Sequence, residues 1–259
     1  MQAKLLDGRM VAQTILQQLS SQVESHKLKP VLEVIQLGKH PKESLLEDYC
    51  NRIGVRLIHT QLPEQSPALQ AIRAVRCSTA DGIVVQLPKY MEYHPAIGSV
   101  PPTKDVGCVR NVNRGNLFTD DGVFSPVVPL AIMELLWEHC IELVGKHCVI
   151  LGRGDSIGKP LAVMFMNVGA TVTVCNSHTT DLKAITTQAD ILVSTIRRPG
   201  VITADMLHPG AVVVDLGDNL EEIGQVAGCV SPAVGGVDVI TPAVLIQNTV
   251  LACEMYSQK

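Results

Sequence analysis

Gly152, Gly154 and Gly158 carry the spacing that most directly implies chemistry, in the run His147-Cys-Val-Ile-Leu-Gly-Arg-Gly-Asp-Ser-Ile-Gly158. The apolar residues Cys148 to Leu151 pass into a glycine-rich turn and then into a helical stretch. Glycine at 152 and 154 allows tight backbone geometry close to a ligand, and glycine at 158 lets the following helix lie close to the sheet. The first amides of that helix would face a pyrophosphate, whose charge suits the positive end of the helix dipole. A second strand, Ala170–Cys175, begins after a short helix closed by Gly169, which supplies the β-α-β context such a turn needs. A plain structural turn is the alternative.

The end of the second strand bears on which dinucleotide fits. Sites for NAD place a carboxylate there for the ribose hydroxyls, whereas sites for NADP use arginine and hydroxyl groups around the extra phosphate. Here Cys175 is followed by Asn176-Ser177-His178-Thr179-Thr180, with no carboxylate before Asp181, and Arg153 stands in the glycine loop. This pattern favours NADP over NAD.

The elements that must position these residues alternate in type. A helical period over 9–26 precedes a strand at Pro30–Leu37, a helix at Glu43–Arg52, a strand at Val55–His59, a helix near 66–77 and a strand at Asp81–Pro88. Residues 89–128 are rich in Pro, Gly, Asn and Asp and look like loop or linker. A helix opening at Pro129 leads into the glycine turn. Ala189–Ser194 and Gly210–Gly217 then give nearly continuous apolar strands, Ser231–Asp238 a loop, and Pro242–Met255 a last helix. Strands alternating with helices predict an α/β fold with parallel sheets.

The 259 residues suit two domains of this kind. A net charge of −4 and a pI near 6.0 leave no electrostatic footprint for nucleic acid or an anionic membrane. The eight cysteines form no Cys-x-x-Cys pair and no zinc spacing, so they are expected as reduced core thiols, with no metal site. No basic, apolar leader precedes Leu5, and no apolar run approaches the ~18 residues that span a bilayer. A cytoplasmic protein is expected.

Several ordered matches make the chain resemble the bifunctional methylenetetrahydrofolate dehydrogenase/methenyltetrahydrofolate cyclohydrolase family. They are Leu6-Asp7-Gly8, Val85-Gln86-Leu87-Pro88, Lys104-Asp105-Val106, Gly152-Arg153 with Gly158-Lys159-Pro160, Cys175-Asn176-Ser177-His178-Thr179, Gly210 to Gly217, Gly235-Gly236-Val237, and Asn248-Thr249. The resemblance implies two α/β domains with a cleft between them. These are a folate or substrate domain over 1–128 with the C-terminal helix 241–259, and a Rossmann domain binding NADP over 129–240. It also implies a homodimer and a small folate substrate in one-carbon metabolism. The family oxidises methylenetetrahydrofolate with NADP and then hydrolyses the methenyl product. By resemblance the dinucleotide meets Gly152, Arg153, Gly154, Asp155, Ser156, Ile157, Gly158, Ser177 and Thr195, with Arg153 and Ser177 at the 2′-phosphate. The substrate meets Gln86, the one catalytic candidate that matches, with Pro88, Gly235, Gly236 and Asp238.

Departures from the family pattern fall at the chemistry. The family's catalytic lysine, on a Tyr-x-x-x-Lys helix, is replaced by Leu46 or Asn51 depending on the anchor used, and the segment between Gly38 and Gly54 is about a turn short. The family's Lys-Asp-Val-Asp-Gly is Lys104-Asp105-Val106-Gly107-Cys108, so the pterin-binding aspartate is Gly107. Pro126-Val127-Val128-Pro129, Arg197-Arg198-Pro199 and Val234-Gly-Gly-Val-Asp-Val-Ile-Thr241 also depart, and Asp238 is a candidate to replace the missing aspartate. Three functions follow as expectations: an NADP-dependent dehydrogenase without the cyclohydrolase step, a degenerate paralogue that binds a nucleotide or partner, and a dehydrogenase of another, anionic substrate held by Arg197 or Arg198.

Overall fold

The computed structural model describes residues 3–39, 44–88, 91, 94–119, 121–198, 200–217 and 220–257, with backbone alone at 220 and 221. In order they form β1 (Lys4–Leu5), α1 (Gly8–Ser25), β2 (Val31–Leu37), α2 (Ser44–Ile53), β3 (Arg56–Leu62), α3 (Ala68–Cys77) and β4 (Gly82–Gln86). Then come α4 (Pro95–Ser99), α5 (Asn111–Asn116), α6 (Val127–Glu138), β5 (His147–Leu151), α7 (Gly158–Asn167), β6 (Thr171–Cys175), α8 (Leu182–Thr186) and β7 (Ile191–Ser194). β8 (Val212–Asp215), α9 (Leu220–Ile223), β9 (Cys229–Ser231) and α10 (Val237–Ser257) complete the chain. The chain divides into two compact units, residues 1–12 with 128–241, and residues 13–127 with 242–259.

The first unit is built on a six-stranded parallel sheet in the order β1-β9-β8-β7-β5-β6. Its inner strands are apolar throughout because helices cover both faces: Val149, Leu151, Leu192, Val213 and Val230 share one core cluster with Ile202, Leu207 and Ile223. From β5 the chain moves outward to β6 and then returns to β7 on the other flank of β5. That reversal is a topological switch point, and ligands of open α/β sheets bind beyond the carboxyl ends of the strands there. The glycine turn follows β5 directly.

The second unit holds a three-stranded parallel sheet, β3-β2-β4. Ile35, Leu37 and Ile83 pack with Ala71 and Val75 of α3 and Ala96 of α4 on one face. The register pairs Leu32 with Gly82, Val34 with Val84 and Gln36 with Gln86, so these six side-chain positions share the other face. A Cβ at Gly82 would lie 2.8 Å from Val106 and 3.1 Å from Thr249, so Val106 and α10 close over that face. Asn248 of α10 donates to the carbonyls of Val106 (2.8 Å) and Ser125 (3.0 Å), which fixes the loop around residue 106.

Several expectations are corrected. Residues 1–12 group with the six-stranded unit, not with the substrate-type unit, because β1 pairs with β9. The region 89–128 contains α4 and α5 besides loop, and α6 begins at Val127. Most of Ser231–Asp238 is irregular, but Ser231 ends a strand, and α10 begins at Val237, five residues before the expected helix start, with Asp238 in its first turn and Pro242 inside the helix. α10 is therefore continuous over 21 residues, with a stretch of mean hydropathy 1.2 long enough to cross a membrane by length and composition. That stretch is 56% buried inside the fold, as suits a core helix. The cysteines divide: Cys50, Cys108, Cys148, Cys175 and Cys253 are buried, but Cys77 and Cys140 are exposed.

Candidate functional site

Gly152 has φ +107°, and a Cβ there would stand 2.2 Å from Thr195 Oγ1, so only glycine fits. The Thr195 hydroxyl donates to the Leu151 carbonyl (2.9 Å), which ties the ends of β5 and β7 together at the switch point. A Cβ at Gly158 would lie 2.0 Å from the Gly152 carbonyl oxygen, so the start of α7 rests directly on the turn. Gly154 differs, since nothing lies within 4 Å of its Cβ position. No side chain caps α7 at Ile157, so its first amides have no side-chain acceptor at the cap. That is an arrangement fit for a phosphate. Asp155 is exposed and would repel one, but Lys159 pairs with it at 2.5 Å and offsets its charge.

Arg153 and Ser177 each stand two residues beyond the register pair Leu151–Cys175 of β5 and β6. Both are exposed at the same sheet edge. Asn176 and Thr179 are occupied locally: the Asn176 amide donates to Thr179 Oγ1 (2.8 Å), and Asn176 Oδ1 accepts from the His178 amide (2.9 Å). Ser156 is exposed and Ile157 partly buried within the turn.

Beyond β7, β8 and β9 lies a cavity of about 220 Å³, lined by Val128, Arg197, Leu216, Pro232, Ala233, Val237, Asp238 and Thr241. Arg197 borders it but is exposed, as is Arg198, which weighs against a buried anion site built on either. Asp238 Oδ1 accepts from the amides of Gly235 (2.8 Å) and Gly236 (2.9 Å). Its carboxylate thus anchors the glycine pair at the helix start, and Asp238, exposed, also borders the cavity. Gly235 has φ +87°, and a Cβ there would meet the Arg9 guanidinium at 2.8 Å.

In the three-stranded unit Gln86 ends β4, half-buried, and its Oε1 accepts from Gln36 Nε2 at 2.7 Å. Pro88 follows two residues later, its carbonyl taking the Met91 amide (2.9 Å). The Lys104–Cys108 loop lies on the same sheet face through Val106. Lys104 Nζ donates to the Ala80 carbonyl (2.7 Å). Asp105 is fully buried and accepts from the amides of Val109 (3.1 Å) and Arg110 (2.9 Å) and from Asn113 Nδ2 (2.9 Å). Burial pushes its carboxyl above the usual range despite those bonds. Cys108 takes the left-handed conformation, φ +50°, that a glycine would hold without strain, and Gly107 does not. Its buried thiol donates to the Phe124 carbonyl (3.3 Å) and is pushed up to about 12, by burial first and Asp105 second. Of the two positions aligned with the family lysine, Leu46 is 2% exposed in the core and Asn51 is exposed. Lys39 is also exposed, while Lys42 and Pro199 lie outside the described residues. Among the described residues no cluster of ligating side chains could hold a metal ion.

Gln36 escaped the sequence reasoning. Its signal was present in the repeated strand endings Val34-Ile-Gln-Leu37 and Val84-Val-Gln-Leu87, which the register sets side by side.

Residues 126–257 match the NAD(P)-binding domain, and residues 6–107 the catalytic domain, of tetrahydrofolate dehydrogenase/cyclohydrolase. The bifunctional protein FolD of Pelotomaculum thermopropionicum is 37% identical, with 99% of each chain covered. FolD of Methanospirillum hungatei is 35% identical over 95% of each. The crystal structure of the Trypanosoma brucei methylenetetrahydrofolate dehydrogenase-cyclohydrolase, complexed with NADP and an inhibitor, superposes with a TM-score of 0.93 at 28% identity, covering 100% of both chains. With both domain families matched in order and relatives covered end to end, this chain belongs to the tetrahydrofolate dehydrogenase/cyclohydrolase family.

Proposed function

We propose that this protein is an NADP-dependent methylenetetrahydrofolate dehydrogenase that has lost the cyclohydrolase step. The observation that carries the reading is the contrast between a glycine turn whose steric demands are all met and a lysine position filled by buried Leu46 or exposed Asn51, neither a base. NADP, when bound, supplies the hydride acceptor. The protein's share is to orient: the turn at 152–158 and the uncapped start of α7 take the pyrophosphate, Thr195 braces the turn, and Arg153 and Ser177 meet the 2′-phosphate. Gln86 meets the pterin from the second unit, and Pro88, Gly235 and Gly236 supply backbone surface.

The oxidation removes a hydride from the one-carbon methylene of the folate and leaves the methenyl cation, so no residue has to take up a proton. Orientation alone supplies much of the acceleration of such a transfer. Hydrolysis of the methenyl group is different, because water must lose a proton as it attacks. A positioned acid–base group contributes about 10²–10⁴-fold to such a step, and neither Leu46 nor Asn51 is one. NADP rather than NAD is favoured by Arg153 and Ser177 at one sheet edge with no carboxylate between Cys175 and Asp181.

The test is a steady-state assay with methylenetetrahydrofolate and either dinucleotide, following reduced cofactor and methenyl product separately. The expected outcome is NADPH formation with methenyltetrahydrofolate accumulating as product. Enzyme-dependent hydrolysis of added methenyltetrahydrofolate would refute the loss of the second step. The absence of any reduction with either dinucleotide would refute the dehydrogenase.

A further inference from the structure

The cavity beyond β7, β8 and β9 carries two charged residues at its border, Arg197 and Asp238, both exposed. Each stands in a segment where the chain departs from the family pattern. Asp238 is held through one oxygen: Oδ1 accepts from the amides of Gly235 (2.8 Å) and Gly236 (2.9 Å), and among the described residues Oδ2 takes no hydrogen bond. The Arg197 guanidinium likewise has no hydrogen bond or ion pair among the described residues. The sheet says what reaches this cavity. β5 and β6 form one half of it and β7, β8 and β9 belong to the other, with the glycine turn at the reversal between them. A dinucleotide lies across such a reversal, one mononucleotide over each half. Arg153 and Ser177 stand on the β6 side, so the 2′-phosphorylated nucleoside falls there and the nicotinamide falls over β7 to β9. Leu216 and Pro232 of the cavity directly follow β8 and β9. Its volume of about 220 Å³ is below the roughly 300–1,000 Å³ of pockets for larger ligands, so it suits one ring and not a whole dinucleotide.

A guanidinium only donates hydrogen bonds, and an ionised carboxylate only accepts them. A primary carboxamide offers the complement, an acceptor oxygen beside an NH2 donor, and being neutral it suits an exposed border where a buried anion does not. We propose that Arg197 and Asp238 recognise the carboxamide of the nicotinamide, Arg197 donating to its oxygen and Asp238 Oδ2 accepting from its NH2 group. Exchange of the two ends would set donor against donor and acceptor against acceptor, so the amide binds one way round. Held there, the ring cannot turn about its bond to ribose, which sets the face it presents to the hydride. The inference rests on the dinucleotide reading made above and deepens it, because it gives Arg197 and Asp238 to the cofactor.

Three ligands, titrated calorimetrically without folate, separate recognition from scaffold. They are NADPH, its reduced acetylpyridine analogue, in which a methyl replaces the NH2 group, and 2′-phospho-ADP-ribose, which has no nicotinamide. The reduced ring is uncharged, which keeps its own charge out of the comparison. Asp238→Asn keeps an oxygen for the Gly235 and Gly236 amides but turns an NH2 group to the cavity, and Arg197→Leu removes the donor. The parent should bind NADPH about tenfold more tightly than the acetylpyridine analogue. Asp238→Asn should weaken NADPH about tenfold and the analogue by no more than about twofold, whereas Arg197→Leu should weaken both about tenfold, since both keep the carbonyl oxygen. The affinity of 2′-phospho-ADP-ribose should stay within about twofold in all three proteins. Unchanged NADPH affinity in either variant, or a loss shared by 2′-phospho-ADP-ribose, would overturn the inference. So would an Asp238→Asn protein that loses the analogue as strongly as NADPH. A parent that binds none of the three ligands refutes the dinucleotide reading itself, and the inference with it, whereas a parent that binds all three with equal affinity overturns the inference alone.

Discussion

Placing an aspartate at Gly107, where the family pattern carries one, tests whether this position faces the pterin. Gly107 is not in the left-handed region, and the nearest atom to an added Cβ is Val109 Cγ1 at 3.6 Å, an ordinary contact. Gly107→Asp should therefore fold, with a stability change within about 1 kcal/mol, part of it from the lost flexibility of the unfolded chain. The new carboxylate lies two residues from Asp105, but Asp105 is held above the usual carboxylate range, and Arg114 acts favourably on the charges of both Asp105 and Cys108. A charge-assisted hydrogen bond contributes about 1.5–3 kcal/mol. Because Gly107 is only half-buried, the lower end applies, and about 1.4 kcal/mol is tenfold in Kd. Tetrahydrofolate titrated calorimetrically into the parent, Gly107→Asp and Gly107→Ala should bind Gly107→Asp about tenfold more tightly, with Gly107→Ala unchanged. Equal affinity in all three, with the melting curves intact, would show that position 107 does not face the pterin, and the residue-by-residue carry-over from the family would fail there.

Asp105→Ala strands three donors, from Val109, Arg110 and Asn113, and should lower stability by about 3–5 kcal/mol in urea unfolding. The raised Asp105 carboxyl binds a proton more readily folded than unfolded, so its contribution is full below the ordinary aspartate value of about 4 and is lost as pH rises through its folded value. Asp105→Asn should abolish that downward slope, and an unchanged slope would refute the assignment. Gly158→Ala places a methyl 2.0 Å from the Gly152 carbonyl and 3.1 Å from Arg153 Cα. It should cost about 1–3 kcal/mol and remove the NADP-induced rise in Tm, which for a ligand at 100 times its Kd corresponds to about 2.7 kcal/mol. Leu46→Lys buries an ammonium at a 2% exposed position and should destabilise by several kcal/mol, about 3 or more, without restoring methenyl hydrolysis. A stable, hydrolytic Leu46→Lys protein would show that the lysine position remains open to the site.

The six-stranded unit was legible because its signals are local. Continuous apolar runs such as Ile191–Ser194 mark strands buried on both faces, and the glycines at 152 and 158 follow from contacts with Thr195 and with the turn's own backbone. What escaped was set by pairing across the chain. β1 is two residues long, too short to show alternation, and exists because Lys4 and Leu5 pair with Cys229 and Val230. Asp238 looked like a loop acid because Pro242 seemed to open the last helix. In the fold, its carboxylate satisfies the Gly235 and Gly236 amides and the helix begins five residues earlier. Gln36 gave no signal of its hydrogen bond by itself, since only the register places Gln86 beside it.

The altered position on α2 is more than a point substitution. Leu46, Tyr49, Cys50 and Ile53 are buried at spacings of three and four, which fills the inward stripe of a ten-residue helix, while Glu47, Asp48, Asn51 and Arg52 are exposed. Arg52 lies over the Tyr49 ring at 5.7 Å. The missing polar groups, at 46 or 51 and at 107, all fall in the three-stranded unit, whereas the glycine turn, Thr195, Arg153 and Ser177 all fall in the six-stranded one. The residues assigned to the dinucleotide and those assigned to acid–base chemistry on folate therefore rest on separate cores. Loss of the second without strain on the first is what the proposed function requires, and that division allows it.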